Sequence, residues 1–336
     1  MGRRNALDLE SSKLRRGLRE AGFSDQVIDA AWPSWWSDDL AADPSGQAEL
    51  RFALARKLGV SPRGLIGERV EFIWNDEARF KHLSTEDAHQ RAALTSFGVT
   101  IGRSLIRGTP SPTPLDGFDA HLIRNAVLAN QNYVDLGGLL ALCWGVGIPV
   151  IHLRVFPLDT KSMHAMVVRV EDRYAILLGR DAGYPAPVAF TLAHELGHLV
   201  LGHLRDTPAL VDLKDPATAP DRDDQEVEAD EFALSLLTGR PDPEIETGNR
   251  SFNAPSLANA VTKAAPRYRI EPGTLALCVA HRTGAWSRAM AALKFIYGEP
   301  KQVWREVNDI AAEQIDWEQI GSESGEYLQN VMGTRA

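Results

Sequence analysis

The sequence predicts an α+β protein in which a small β-sheet packs on a buried helix and a second acidic helix, with helical regions on either side. Three observations carry that expectation. Between residues 149 and 179 the apolar residues fall into short β-rich runs. The run TLAHELGHLVLGH that follows is apolar almost all round a helix, as expected of a central helix rather than a surface one. Before residue 108 and after residue 250 the apolar spacing returns to the three-to-four period of amphipathic helices.

Taken in chain order, residues 1–108 read as a helical N-terminal domain, with LRRGLREAGF, FSDQVIDAAW and GQAELRFALARKLGV as its amphipathic stretches. The stretch GTPSPTP, 108–114, marks a linker or surface loop. Residues 109–250 form the middle domain, where PVIHLRVF, HAMVVRV and RYAILLG are expected strands. Only Glu171 and Asp172 separate the last two, which predicts a hairpin. After the TLAHELGHLVLGH helix, RDTPALVDLKDPATAPDRDDQ is polar and proline-containing and reads as a loop, and EVEADEFALSLL reads as a helix. Residues 251–336 form a helical C-terminal region, carried by SLANAVTKAAP, GTLALCVAHRTG, WSRAMAALKFIYG and KQVWREVNDIAAEQI.

The chemistry concentrates in His194, Glu195 and His198, which read HExxH. Four residues of α-helix advance about 400°, with a rise of about 6 Å, so the two histidines project from one face and can grip one ion. Glu195 lies one step round, placed to reach a metal-bound water instead of the metal. Such polar groups inside an apolar helix need partners, because an unsatisfied polar group in a core costs several kcal/mol. A zinc ion with three protein ligands supplies that partner and keeps a fourth position open, which implies hydrolytic chemistry.

The third ligand is sought downstream. Glu226 and Asp230 are again four apart, while Ala229, Phe232, Ala233 and Leu236 give their helix an apolar side. This suits a two-histidine, one-glutamate site in which Glu226 binds the ion and Asp230, behind the ligands, accepts the free N–H of a ligating histidine. Glu228 lies about 200° from Glu226 and is expected, like Glu231, to be a surface residue. The alternative pattern H-E-x-x-H-x-x-G-x-x-H fails, because Leu201 and Leu204 stand where its glycine and third histidine belong. His203, about 140° round from His198, reads as a helix-end residue, structural or lining the rim. No residue type or spacing identifies the group that assists the oxyanion; Tyr184, His164 and His203 are the nearby candidates.

VAFTLAHELGHLVLGH followed by EVEADEFALSLL resembles the ImmA/IrrE family of zinc metallo-endopeptidases, HExxH enzymes of gluzincin-like type. The second element fits through Glu226, Ala229, Asp230, Phe232 and Ala233, and the resemblance spans about Asn125 to Gly239. It implies a zincin-like core, Zn2+ held by His194, His198 and Glu226, and Glu195 as the base that activates zinc-bound water. It also implies a cytoplasmic protease cutting a protein partner, a repressor-like regulator, and so acting in transcription regulation. The other function class is a zinc-containing regulator, antitoxin or phage-linked accessory protein that binds a partner without cutting it. An intact Glu195 speaks against that class, since a purely structural site has no use for a base.

A second resemblance lies in the N-terminal domain, where AELRFALARKLGVSPRGLIGE is similar to the closing helix of phage-repressor-type helix-turn-helix domains. Asp25, Asp29, Asp38 and Asp39 are acidic where a DNA reader needs positive charge, and Pro33 interrupts the helix that would enter a groove. Protein docking or a structural role is therefore expected over DNA binding, with Trp32, Trp35 and Trp36 as core packing of this domain. The net charge of −9 agrees. The start, MGRRNALDLESSKLRR, has no apolar stretch behind its arginines and is not expected to be a signal peptide, and no run has the apolar length of a membrane helix. Cys143 and Cys278, without a Cys-x-x-Cys pattern, read as inert thiols.

Overall fold

The computed structural model describes residues 2–37, 39–66, 70–73, 79–81, 88–157, 163–205, 207, 209–212, 223–243 and 252–334. Asp38 and most of the polar connector, residues 213–222, lie outside them. Helices α1 (Gly2–Glu20), α2 (Asp25–Ala31), α3 (Pro44–Leu58) and α4 (Ala88–Arg107) come first, with strand β1 (Arg79–Lys81) before α4. Then follow α5 (Ala120–Leu128), α6 (Leu136–Gly145), β2 (Val150–His152), β3 (Ala165–Val170), β4 (Arg173–Leu178), α7 (Pro185–Val200), β5 (Ala209–Asp212) and α8 (Asp224–Thr238). The chain closes with α9 (Ala254–Tyr268), α10 (Pro272–Thr283), α11 (Trp286–Tyr297), α12 (Val303–Gln314), α13 (Trp317–Ile320) and α14 (Ser322–Met332). The architecture is α+β, as the sequence predicts, and residues 108–115 carry no helix or strand. Among the described residues no helix is long and apolar enough to cross a membrane.

Five strands form one mixed sheet in the order β1-β5-β3-β4-β2. β3 pairs antiparallel with both β4 and β5, while β1 runs parallel to β5 and β2 parallel to β4. The sequence reading finds the three central runs but not the two others. β5 lies in the segment read as a loop, where Ala209, Leu210 and Val211 are buried. β1 lies in the section read as helical. Both are three or four residues long, too short to show a period, and their parallel pairing joins segments about 130 residues apart, with Arg79 opposite Leu210. β2 is also shorter than the run PVIHLRVF suggests.

The strands read as near-continuous apolar runs because each face of the sheet has its own core. Met166, Val168, Ala175 and Leu177 face a cluster with Phe97, Ile101 and Leu105 of α4. Val167, Ile176 and Leu178 face another with Leu192, Ala193 and Leu196 of α7. On the first face α4 comes in closely at Gly98 and Gly102, where an added Cβ would lie 2.0 Å from Met166 Sδ and 2.9 Å from Val168 Cγ1. The same apolar cluster takes in Leu18, Ile28 and Leu54 from the N-terminal helices and Tyr327, Leu328 and Met332 from α14, so packing runs across position 108 and position 250. A third cluster holds α9, α10 and α11 together.

The N-terminal tryptophans pack against that shared core. Trp35 Nε1 donates to Glu323 Oε1 at 2.7 Å, and the Arg15 guanidinium lies 4.2 Å above the Trp32 ring. Arg15, Arg19 and Arg56 pair with Asp29, Asp25 and Glu323, so their charge is matched within the protein.

The β3–β4 turn places Glu171 at φ 56°, in the left-handed region, at the first of its two central positions. That position favours glycine in a two-residue hairpin. Left-handed backbone costs an L-residue about 1–2 kcal/mol, against about 0.5–1 kcal/mol of extra chain entropy lost by glycine. Glu171→Gly is expected to raise unfolding stability by about 0.5–1 kcal/mol, read as a higher urea midpoint at unchanged slope.

Candidate metal centre

α7 begins after Tyr184 with Pro185 in its first turn and is buried through nearly all of its length. Its apolar positions dock on the sheet, which fixes the helix and leaves His194 and His198 one turn apart on the opposite side. α8 starts at Asp223, whose side chain accepts from the Glu226 N–H at 2.9 Å, and stops at Gly239, φ 89°. Its far end is pinned by the buried Arg124 of α5, which donates to the carbonyls of Leu236, Leu237 and Arg269 at 2.7–3.0 Å. A cation at a helix C-terminus meets the negative end of the dipole.

The two helices meet at Gly197. A Cβ there would lie 3.1 Å from Phe232 Cδ1, 3.2 Å from the Ala229 carbonyl oxygen and 3.3 Å from Ala229 Cα. Only the missing side chain lets α8 come this close, and Ala229 sits three residues after Glu226 and one before Asp230. Helix contact therefore delivers both carboxylates to the histidines.

His194, His198 and Glu226 are all buried and each offers one ligand atom, the three lying within 4.8 Å of one another. The Nε2 atoms of the histidines are 3.0 Å apart, and Glu226 oxygens lie 3.5 Å from His194 Nε2 and 3.3 Å from His198 Nε2. Donors about 2.0–2.1 Å from a tetrahedral centre stand about 3.3–3.4 Å apart, so the set fits one small cation. The protons agree. His194 Nδ1 is 2.8 Å from Asp230 Oδ1, and a carboxylate only accepts, so Nδ1 carries the hydrogen and Nε2 presents a lone pair. The donor set fits a metal ion; the identity of the ion is not fixed by it.

Glu195 is fully buried on the same helix, one residue on from His194. His203, expected at the helix end, and Glu228, expected at the surface, keep those places but are joined to the donor set. His203 is buried, with Nδ1 2.8 Å from His198 Nδ1 and Nε2 3.0 Å from Glu228 Oε2. α7 ends at Val200 with Leu201 as its cap, and Gly202 at φ 76° turns the chain back, so the rotation of about 140° for a continued helix does not apply to His203. The His203 N–H then donates to the His198 carbonyl at 3.0 Å. Glu228 keeps an exposed side chain, as expected of a surface residue, yet its carboxylate reaches His203. The signal available in the sequence was Gly202 followed at once by histidine.

The other candidates are not brought to the cluster. His164 is buried at the start of β3, its Nε2 2.8 Å from Thr191 Oγ1. Tyr184 stacks on Tyr297, ring centres 5.8 Å apart. Both line a cavity of about 640 Å³ bounded by α7, α8, α10 and α11. Its wall includes Leu234, Leu277 and Trp286, and it reaches the metal-site residues through Thr191, Phe190 and Asp230. The Phe190 ring centre is 6.4 Å from that of His194, so the cavity opens one helical turn from the donors. Cys278 lies in its wall; burial pushes this thiol and that of Cys143 up to about 12, and neither is a thiolate at neutral pH.

Residues 184–282 match the family model of Peptidase U49. The match runs from the cap of α7 through α8 to α10, and so contains the three-donor cluster and most of the cavity wall. No curated protein matches the chain. The similarity supports a peptidase, and with it a protein substrate.

Gly197→Val is expected to push α8 off α7, lowering the thermal midpoint and weakening any divalent-metal binding together, checked by thermal melts of the metal-free protein and by chelator competition. A variant that keeps full stability but loses metal would place the constraint elsewhere than in helix contact.

Proposed function

We propose that this chain is a zinc-dependent endopeptidase. The observation that carries the reading is the convergence of the His194 and His198 Nε2 atoms and the Glu226 carboxylate in a buried, peptidase-like segment. His194, His198 and Glu226 would hold the ion, which when bound supplies Lewis-acid polarisation of the scissile carbonyl. Glu195 takes a proton from the attacking water and passes it to the leaving amine. Asp230 fixes the ring of His194 in the tautomer whose Nε2 presents a lone pair to the ion. The elevated thiol pKa values of both cysteines favour this over a cysteine-nucleophile mechanism.

The apolar cavity beside Phe190 and Thr191 suits an apolar side chain of the substrate next to the bond that is cut. For the substrate itself we take a protein partner, and the likeness of Glu226, Ala229, Asp230, Phe232 and Ala233 to the ImmA/IrrE segment supports a repressor-like regulator.

Glu195→Gln is expected to retain Zn2+ while turnover falls by about 10²–10⁴-fold, and His198→Ala to lose the metal. The measurement is mass spectrometry of new N-termini in source-cell lysate treated with wild type or Glu195→Gln protein. Termini made equally by both would remove Glu195 from the base role. Leu277→Trp narrows the cavity and is expected to lower kcat/KM for substrates with a bulky apolar residue beside the cut by about tenfold or more. Metal affinity should stay unchanged; an unaltered side-chain preference would separate the cavity from substrate binding.

A further inference from the structure

The proton order on His198 is decided at a distance. With one proton per ring, His198 ligates through Nε2 only if its Nδ1 donates. Its Nδ1 neighbour is another imidazole, His203, at 2.8 Å, and an imidazole nitrogen can donate or accept. On its own, then, the pair is ambiguous. In the wrong order His203 would donate to His198 Nδ1, and a hydrogen on His198 Nε2 would point at His194 Nε2 and Glu226. Glu228 removes the ambiguity. Its carboxylate, 3.0 Å from His203 Nε2, only accepts, so Nε2 of His203 carries the hydrogen and Nδ1 presents a lone pair to His198.

We propose that His203 and Glu228 are positioning residues that set the tautomer and ring orientation of His198, as Asp230 does directly for His194; the proposal rests on the metal-site reading given above. The two ligating rings are thus held differently: His194 by a carboxylate in contact, His198 by a carboxylate acting through a second ring. The need for an intermediary follows from the backbone. α7 ends two residues after His198, and the left-handed turn at Gly202 folds His203 under it while Glu228 stays on α8 with its side chain toward solvent. The relay therefore bridges the same two helices that supply the ligands.

The test is Zn2+ affinity of the full chain, by competition with a chromophoric chelator, alongside the thermal midpoint of the metal-free protein. His203→Phe keeps a ring but removes the acceptor, His203→Gln restores an amide oxygen that can accept from His198 Nδ1, and Glu228→Ala removes the terminal acceptor at an exposed position. Loss of such supporting groups weakens metal binding about 10–100-fold, which is the expectation for His203→Phe and Glu228→Ala. His203→Gln should recover to within a few-fold of wild type, and Glu231→Ala, on the same helix, should not change. Wild-type affinity in both His203→Phe and Glu228→Ala would overturn the proposal. So would equal weakening in His203→Gln and His203→Phe with apo midpoints falling in step, since that pattern marks packing alone. Wild-type protein that binds no Zn2+ would overturn the metal reading and the relay together, whereas tight, relay-dependent Zn2+ binding without proteolysis would support the relay and count only against the peptidase.

Discussion

The site depends on how closely two helices approach. α7 contributes two histidines one turn apart, but the third donor and a supporting carboxylate come from α8. They meet only because position 197 has no side chain where Ala229 and Phe232 press against it. The rest of the fold braces that contact. The sheet supports α7 from below through Val167, Ile176 and Leu178, and Arg124 ties the far end of α8 to α5 and to the end of α9. A shift of about 1 Å between the helices would carry Glu226 away from the two histidine rings, so small residues at the contact are as much part of the site as the donors.

Electrostatics sets a second demand. Glu195, Glu226 and Asp230 are carboxyl groups buried beside two imidazole rings. Removing several like charges from water costs several kcal/mol each unless something opposite in sign is near. Hydrogen bonds from the rings offset part of this, and a divalent cation at the donor set would offset much of what remains. A cation bound there would therefore stabilise the fold as well as serve any chemistry.

Much of this was legible in the sequence because it rests on local periodicity. The four-residue spacing of His194 and His198 and of Glu226 and Asp230 puts each pair on one helical face whatever the rest of the chain does. The hairpin turn at Glu171 and Asp172 was equally local. What escaped depends on non-local or non-helical geometry. β1 and β5 are short strands whose pairing joins residues far apart in the sequence, leaving no pattern within either one. Gly202 marks the helix end in the sequence, but not the left-handed turn that carries His203 back to His198. Glu228 was placed correctly on its helix, but its partner was not, so its contact could not be read.

The shared core on the α4 side of the sheet has a consequence for how the chain acquires its structure. Leu18 and Ile28 from near the start and Tyr327 and Met332 from near the end are buried in one cluster, and Trp35 bonds Glu323 across 288 positions. Contacts of that sequence separation carry a large loop-closure entropy and slow the search for the native state. On the ribosome, one face of the sheet must wait for α14 before its covering is complete, while the face bearing the ligand helices draws its partners from residues 120–237 and from Val303 and Val307 of α12. The face that carries His194, His198 and Glu226 takes its last buried residues from α12, whereas the covering of the opposite face is complete only with α14, nearer the end of the chain.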